Sequence, residues 1–548
     1  MTWTCLIASA DYIEPEMVAQ FGRLPPAFLP IGNRRLFTHQ HARLSSQINR
    51  TILSLPEDFE AEEADLLLLR DLGIEVVRVP GGLSLGQSIV YVINVTASSA
   101  GRFSILHGDT LLEDVDFSIT DAVSTGQAPS IYEWGVLRQK NDLLCEPLQS
   151  KTTAITDSTM PTGAPDQALS GWFSFADAAL LIQAITRAGG SFIDGIGRYA
   201  GARPLRTIST TSWFDFGHTT TYHQSRRRIT TERHFNRLEP THRTFVKSGL
   251  NNDKIKAEGR WFEELPPEIR IHAPAFLGLS ESAHGARYTL EYLHLPTLAD
   301  LFVFGRLPKA RWRQIFESCD EFLSACARHP APIESAGATS SLYTEKTHER
   351  LQAFAGARGL DLKASCRFDG AWLPSLERII DVAAAAIPEA LPQHLSLVHG
   401  DFCFSNIFYD VRAELVRVID PRGLDARGDF SAFGDLRYDL AKMHHSVIGR
   451  YDHIVAGYYR LQRQGPLDLS LELPDSALMR SIDAEFMERR FANMSAHEAA
   501  APAICILLFL SMLPLHAEDR DRQDAFLANA LRLFQRLDAS HHTRKFSA

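Results

Sequence analysis

The sequence predicts an α/β domain over residues 1–228 joined to an α+β domain over residues 229–548. Three observations carry that division. From Thr4 to Asp109, strand-like and helix-like segments alternate, the pattern of a parallel sheet with crossover helices. Between Arg226 and Arg243 the chain is charged and lacks long apolar periodicity, as a domain boundary does. Beyond Leu307 it is mostly helical, with short strands embedded among the helices. A chain of 548 residues has room for two large domains or three smaller ones.

In the first domain TCLIAS is the expected first strand. Leu66 to Leu72 is a helical segment, and IEVVRVP after it is a strand. GQSIVYVINVT reads as a helix after a loop, although its β-branched residues also suit a strand. RFSILHGDT is a strand that ends in a polar turn. This puts Asp109 at a carboxyl end, where ligands of open α/β sheets collect. SGWFSF is a further strand, and ADAALLIQAITRAGG is a helix with a glycine stop. TSWFDFGHTTTY closes the pattern. In the second domain RTFVKS is a short strand, NDKIKAEGRWFEELP a helix ended by proline, and YTLEYLHL a strand with a turn after it. Leu395 to Val398, IFYD and LVRVID are short strands within the helical part.

Composition narrows the class. Hydrophobic residues at 45% and charged residues at 22% describe an ordinary globular protein. A net charge of -10 disfavours bulk binding to nucleic acid or anionic membrane, both of which require a positive field. The basic run Arg226-Arg227-Arg228 is short and reads as a solvated end or linker. The 7 cysteines include no CxxC pair, so a disulfide framework or structural zinc is not expected, and a reducing cytoplasm fits. MTWTCLIASA lacks a basic n-region and reads as a buried strand instead of a signal peptide. Ala499 to Leu515 is apolar but shorter than the ~20 residues of a membrane span. It also contains Pro502 and Pro514, so a buried helix is expected.

The strongest chemical signal is LSLVHGDFCFSNIFYD followed by LVRVIDPRG. One strand ends at His399, Asp401 and Asn406 follow on a loop, and a second strand delivers Asp420. Phosphoryl transfer requires a carboxylate to orient the attacking hydroxyl and oxygen ligands for the metal on the phosphates. Any one of these acids alone would be an ordinary turn or strand-end residue; their order is what carries the signal. The segment resembles the aminoglycoside phosphotransferase and choline kinase group, which shares the protein-kinase-like fold, and the resemblance runs from Arg233 to about Leu537. It implies Asp401 as catalytic base, Asn406 and Asp420 as Mg²⁺ ligands, and His399 as loop support. It also implies Lys247 on the ATP phosphates, paired with Glu258 on the next helix. Glu291-Tyr292-Leu293 resembles the hinge that meets the adenine, with Glu291 and Leu293 as the binding positions. GDLRYDLAK matches the group's G-D-x-x-Y-D-L-A pattern, in which Asp439 anchors the catalytic loop. RHFNRLEPTHR stands where protein kinases carry a glycine-rich loop. His444-His445 on the following helix are read as packing residues, and Cys403 is read as placed by position and not by reactivity.

The first domain resembles the sugar-phosphate nucleotidyltransferases, which implies a Rossmann-like fold of the glycosyltransferase-A kind. PPAFLPIGNRRLFTHQ matches the family's P-K-x-L-L-P-x-x-x-K-P-L-I segment, ILHGDTLL its metal-binding strand end, and SWFDFGHTTTY its W-x-D-x-G-T-P-x-x-Y segment. The resemblance implies Asp109 and Asp215 on one Mg²⁺ and places GGLSLGQS, with Gly86, against the base of a nucleoside triphosphate whose identity stays open. Two departures stand out. ASADYIEPEMVAQFGR replaces the glycine-rich triphosphate loop, and Pro26 replaces its lysine. Arg23, Arg34 or Arg35 is then expected to offset the triphosphate charge, with Arg23 ranked first as a catalytic residue.

Together the resemblances imply a bifunctional enzyme. A kinase would phosphorylate a sugar or small alcohol with ATP. A nucleotidyltransferase would join that phosphate to a nucleotide, giving an NDP-activated precursor for capsule or other surface polysaccharide. The expected partners are therefore small molecules, with no nucleic acid and no membrane span, and the oligomeric state is left open. Three alternatives remain: a kinase with a degenerate first domain that binds a nucleotide sugar or regulates, a choline kinase with a cytidylyltransferase, and an antibiotic kinase. Trp372 and Tyr438 are aromatics that a choline cage would use. An acidic drug-binding lobe would mark the antibiotic kinase.

Overall fold

The strand Trp3–Ala8 is apolar on both faces, as a central parallel strand must be. In the computed structural model, which describes residues 2–127, 134–137, 149–151, 167–229, 232–233, 236–249, 251–282, 285–332, 341–425 and 427–546, it pairs in parallel on both sides. Cys5 lies opposite Thr51 of Arg50–Pro56 and opposite Ser104 of Arg102–His107. Ile74–Val79 extends the parallel sheet, and Gln167–Phe175 adds an antiparallel strand beside Arg102–His107. Alternation along the strands feeds two cores. Leu6, Phe103 and Ile105 meet Ile89 and Val92 of the helix Leu85–Val95, Leu181 and Ile185 of Ala178–Arg187, and Phe192 and Ile196 of Phe192–Ala202. Cys5, Leu106 and Trp172 form the other core with Leu112 and Phe117.

Contacts divide the chain into Met1–Thr230 and Thr231–Ala548. In the first unit, the segment GQSIVYVINVT is helical despite its β-branched residues, because Ser84 and Gln87 close a capping box and the apolar face is buried. Several elements went unread in the sequence, two of them instructive. Arg50–Pro56 is short, and although buried from Thr51 onward it mixes Thr51 and Ser54 with apolar residues, so it carries no clear period. Phe192–Ala202 holds three glycines, which weaken any helical reading, yet a Cβ at Gly195 would come within 2.7 Å of Ile185 Cγ1, so close packing explains that residue.

The second unit begins with an antiparallel sheet in which Asn236–Pro240, Thr244–Gly249, Gly285–Glu291 and Phe276–Ser282 are neighbours in that order. The helix Asn252–Glu263, capped by Asn251, buries Ile255, Trp261 and Phe262 against it. Two short antiparallel pairs follow: Leu395–Leu397 with Phe433–Asp435, and Ile407–Asp410 with Leu415–Val418. Ala501–Met512 is buried all round and packs against the helices Ser341–Arg358, Leu436–Val447 and Arg520–Phe546. Among the described residues no helix is long and apolar enough to cross a membrane. A sheet of Ala371–Ser375, Ser365–Phe368, Asp468–Glu472 and Arg460–Gly465 was not anticipated; its strands are short, and RLQRQG has no apolar alternation.

Candidate active site

Lys247 sits in the middle strand of the second unit's first sheet, 2% exposed. Its Nζ donates to Glu258 Oε2 at 2.7 Å and to Asp420 Oδ1 at 3.0 Å. Tyr288, one strand away, donates to the same Glu258 oxygen at 2.8 Å. One buried ammonium thus serves two carboxylates. Burial pulls the Lys247 ammonium down, but Asp420 and Glu258 outweigh it and hold the group above its usual range. Burial and the Asp420 charge push the Glu258 carboxyl up. Asp420 itself lies in the left-handed region, with φ 57, a conformation costly for a non-glycine residue and common at functional sites.

The loop after Leu395–Leu397 is fastened from below. Asp439 accepts from the His399 and Gly400 N–H groups, both at 2.8 Å, and burial pushes its carboxyl up to about 7. The His399 ring is buried between the Ile419 carbonyl and the Asp401 N–H. Asn406 Nδ2 donates to the Asp401 carbonyl and to Asp401 Oδ2, both at 3.0 Å, which turns its carbonyl oxygen over to other partners. Lys442 Nζ is 2.7 Å from Asp401 Oδ1. Burial works against the Asp401 charge, yet Lys442 and Arg422 hold its carboxyl well below the usual range. Lys442 was not singled out in the sequence. The available signal was its spacing, three residues beyond Asp439 on one helix face. Cys403 is buried and its thiol pushed up to about 12, and His445 is packed between Tyr451 and Phe509.

At the proposed hinge, Glu291 ends its strand, pairs with Arg417 at 3.1 Å and accepts from the Ala275 N–H. Leu293 follows, half-buried, with no hydrogen bond to its backbone among the described residues. His234 and Phe235, within the segment that replaces the glycine-rich loop, lie outside the described residues.

In the first unit Asp109 follows Arg102–His107, and Asp215 ends Trp213–Asp215, which pairs with Thr110–Leu112. The Phe216 N–H donates to the Asp109 carbonyl at 2.8 Å. A Cβ placed on Gly217 would come 2.9 Å from Asp109 Oδ2 and 3.5 Å from Asp215 Oδ1, so both carboxylates border one small space that a side chain would fill. Burial and the Asp109 charge push Asp215 up to about 7. Asp215 Oδ2 is buried with no hydrogen-bond partner among the described residues. An acceptor-only oxygen left unpaired beside a second carboxylate fits a divalent cation with phosphate oxygens completing its shell. Among the described residues no three His, Cys, Asp or Glu side chains cluster to hold a metal by themselves.

Other expected phosphate contacts are placed differently. ASADYIEPEMVAQFGR folds into the helix Pro15–Phe21, closed by Gly22 at φ 80. Arg23 Nη1 pairs with Asp58 Oδ2 at 2.7 Å, and its guanidinium lies 3.7 Å from the Tyr12 ring centroid, so it is committed locally. Arg35 is buried in a two-pronged pair with Asp65 and also donates to the Phe28 carbonyl, a structural role. Arg34 is exposed. Gly86 lies inside its helix, where a Cβ would come 2.4 Å from the Gly190 carbonyl oxygen, so close packing requires a glycine there.

Residues 243–473, within the second unit, match the model of the phosphotransferase enzyme family. No curated protein matches the chain. Among solved structures, the first unit is similar to a putative glucose-1-phosphate thymidylyltransferase from Bacillus anthracis in complex with a sucrose, at 13% identity over 42% of this chain and 96% of that one, with a TM-score of 0.34. It is also similar to a UTP-bound UGPase from Acinetobacter baumannii, at 15% identity over 42% and 93%, with a TM-score of 0.29. The second unit is similar to the apo form of a thermostable mutant of an aminoglycoside phosphotransferase, at 15% identity over 56% and 92%, with a TM-score of 0.37.

Proposed function

We propose that the chain is a bifunctional enzyme: an ATP-dependent kinase of a sugar or small alcohol, and a nucleotidyltransferase that joins the resulting phosphate to a nucleotide. The observation that carries the reading is the convergence of Lys247, Glu258 and Asp420 from three separate elements beside the Asp401–Asn406 loop. In the kinase step the acceptor hydroxyl attacks the γ-phosphorus of ATP, and ADP departs. Asp401, held ionised by Lys442, accepts the hydroxyl's hydrogen bond and aligns its lone pair. Lys247 neutralises the phosphates, kept in place by Glu258. The Leu293 peptide meets the adenine. Asn406 and Asp420 would hold Mg²⁺ there, as Asp109 and Asp215 would in the first unit, and bound Mg²⁺ offsets the charge that develops on transferring phosphates. In the second reaction a phosphate oxygen of the phosphorylated product attacks the α-phosphorus of an NTP, and pyrophosphate leaves. The NDP-activated product suits synthesis of capsule or other surface polysaccharide.

A second reading keeps the kinase and makes the first unit a module that binds a nucleotide sugar. A specific observation favours it: a helix replaces the triphosphate loop, and Arg23 and Arg35 are engaged by Asp58 and Asp65. One experiment separates the two. Pyrophosphate release is measured with each NTP and Mg²⁺ against sugar 1-phosphates and small phosphorylated alcohols. Release that depends on one phosphate and vanishes in Asp215→Ala supports the bifunctional enzyme. No release across the panel, with ATP consumed on an unphosphorylated alcohol, supports the binding module.

A further inference from the structure

We propose that the kinase acceptor is an anion, a hydroxylated small molecule bearing a carboxylate or phosphate, and that Lys346, Arg350 and Arg422 receive its charge. The inference rests on the kinase reading and names the substrate class of that site. These three cations line one pocket with Thr347 and Tyr438, and Leu507 and Leu508 form an apolar wall. Lys346 and Arg350 stand one turn apart on Ser341–Arg358, and neither makes an ion pair among the described residues. Arg350 donates instead to the Ser511 carbonyl at 3.3 Å. Desolvation and the neighbouring cations pull both groups below their usual values, and Glu349 on the same helix offsets this only in part. Arg422 already acts on Asp401 and Asp439, whereas the charges of Lys346 and Arg350, gathered in a partly desolvated pocket, are unfavourable until an anion joins them.

The pocket adjoins the reacting end of the site. The Arg422 N–H donates to the His399 carbonyl at 2.8 Å, and the same residue's guanidinium donates to the Tyr438 hydroxyl at 2.6 Å. Tyr438 and Lys442 are one turn apart on Leu436–Val447, and Lys442 holds Asp401. The pocket is thus lined by Tyr438, one turn of Leu436–Val447 from the lysine that holds Asp401, so one small acceptor can place a hydroxyl at Asp401 and its charge in the pocket. The same charges disfavour cationic acceptors. An aminoglycoside would meet three like charges. For a quaternary ammonium, the Tyr438 face is already covered by Arg422 at 4.5 Å, and Trp372 is paired with Arg367 elsewhere.

The test uses the full chain with MgATP and three matched acceptors: glucose, glucuronate and glucose 6-phosphate. Phosphorylation is followed by ADP release, and binding of each acceptor by calorimetry with a non-hydrolysable ATP analogue present. Wild type is compared with Arg350→Gln and Lys346→Gln. The expected result is tighter binding of at least one anionic member than of glucose, with its KM raised about 10–100-fold in Arg350→Gln while the KM for ATP stays unchanged. Preference for glucuronate identifies a carboxylate acceptor, and preference for glucose 6-phosphate a phosphorylated one. Equal or better binding of glucose, or a change confined to the KM for ATP, overturns the proposal and leaves the kinase standing. Anion binding lost in Arg350→Gln, with no ADP release on any acceptor, supports the pocket and counts against the kinase reading.

Discussion

The two acidic centres differ in how their charge is balanced. In the second unit lysines stand against the carboxylates: Lys247 against Glu258 and Asp420, and Lys442 against Asp401. In the first, Asp109 and Asp215 border one space, and neither pairs with a lysine or arginine among the described residues. Asp401, with Lys442 beside it, is held ionised before any ligand arrives. Asp215, with no such cation, is driven to take up a proton, first by burial and then by the Asp109 charge. The carboxylates of the second unit are therefore met by the protein's own lysines, whereas Asp109 and Asp215 share a space with no such partner among the described residues.

Removing the acceptor-orienting group should have the largest effect. Asp401→Asn keeps the shape of the loop and the Asn406 bond to the backbone carbonyl there, but removes the charge and leaves one side-chain oxygen to accept from either Lys442 or Asn406. Phosphorylation is expected to fall by about 10²–10⁴-fold, with pyrophosphate release by the first unit unchanged. Paired ADP-release and pyrophosphate assays on one preparation check both halves, and a parallel loss of both activities would mean the two centres are not independent.

Breaking the charge balance at Lys247 should cost stability as well as activity. Lys247→Met leaves Glu258 buried with only the half-exposed Lys254, at 3.7 Å, for a cation, and unfolding of the second unit is expected to become easier by about 3 kcal/mol. Glu258→Gln added to it should restore much of that stability without restoring phosphorylation, because the phosphates still lack their ammonium. Denaturant unfolding of both variants reads the result. A single variant as stable as wild type would show that Asp420 and Tyr288 do not depend on Lys247.

The opposite sign is expected in the first unit. The Asp215 carboxyl sits near 7 when folded and near 4 when unfolded, so between those values the folded state holds the extra proton. Stability without metal should therefore fall as pH rises from about 4 to 7 and stay low above that. Asp215→Asn removes the dependence and is expected to melt about 2–4 °C higher at pH 8, while pyrophosphate release disappears. Millimolar Mg²⁺ should narrow the gap by stabilising wild type alone. Calorimetric scans at pH 5 and pH 8, with and without Mg²⁺, test the sign.

The same contrast explains what the sequence made legible. His399, Asp401 and Asn406 fall within eight residues, and their side-chain chemistry is informative by itself, so the loop could be read before any fold was known. The parallel sheet around Trp3–Ala8 was legible because strand-like and helix-like segments alternate, but its order was not, since the neighbouring strand Arg50–Pro56 went unread. Lys442, Arg422 and Lys346 were not legible. A lysine on a helix is usually a solvated residue, and only the docking of Leu436–Val447 beneath the loop and of Ser341–Arg358 beside it gives these their meaning. The hairpin strands Ser365–Phe368 and Arg460–Gly465 were hidden for another reason: the first alternates over only four residues, and the second is mostly exposed with no apolar period.

Arg23 yields the smallest expected effect and the sharpest check on reading charge from sequence. Its position after the missing glycine-rich loop makes it the natural substitute for a phosphate-binding lysine. In the folded chain Asp58, 35 residues away, neutralises it, and Tyr12 lies under its guanidinium. The pair is 60% and 59% exposed, so Arg23→Ala should cost less than about 1 kcal/mol of stability. If the arginine stays with Asp58 during the reaction, pyrophosphate release should also change by less than about threefold, well under the 10²-fold that a lost transition-state donor produces. A fall of that larger size would mean that triphosphate binding draws Arg23 away from Asp58. Asp58→Asn would then raise the rate by releasing the arginine, and a rate unchanged in both variants would leave triphosphate binding to other groups.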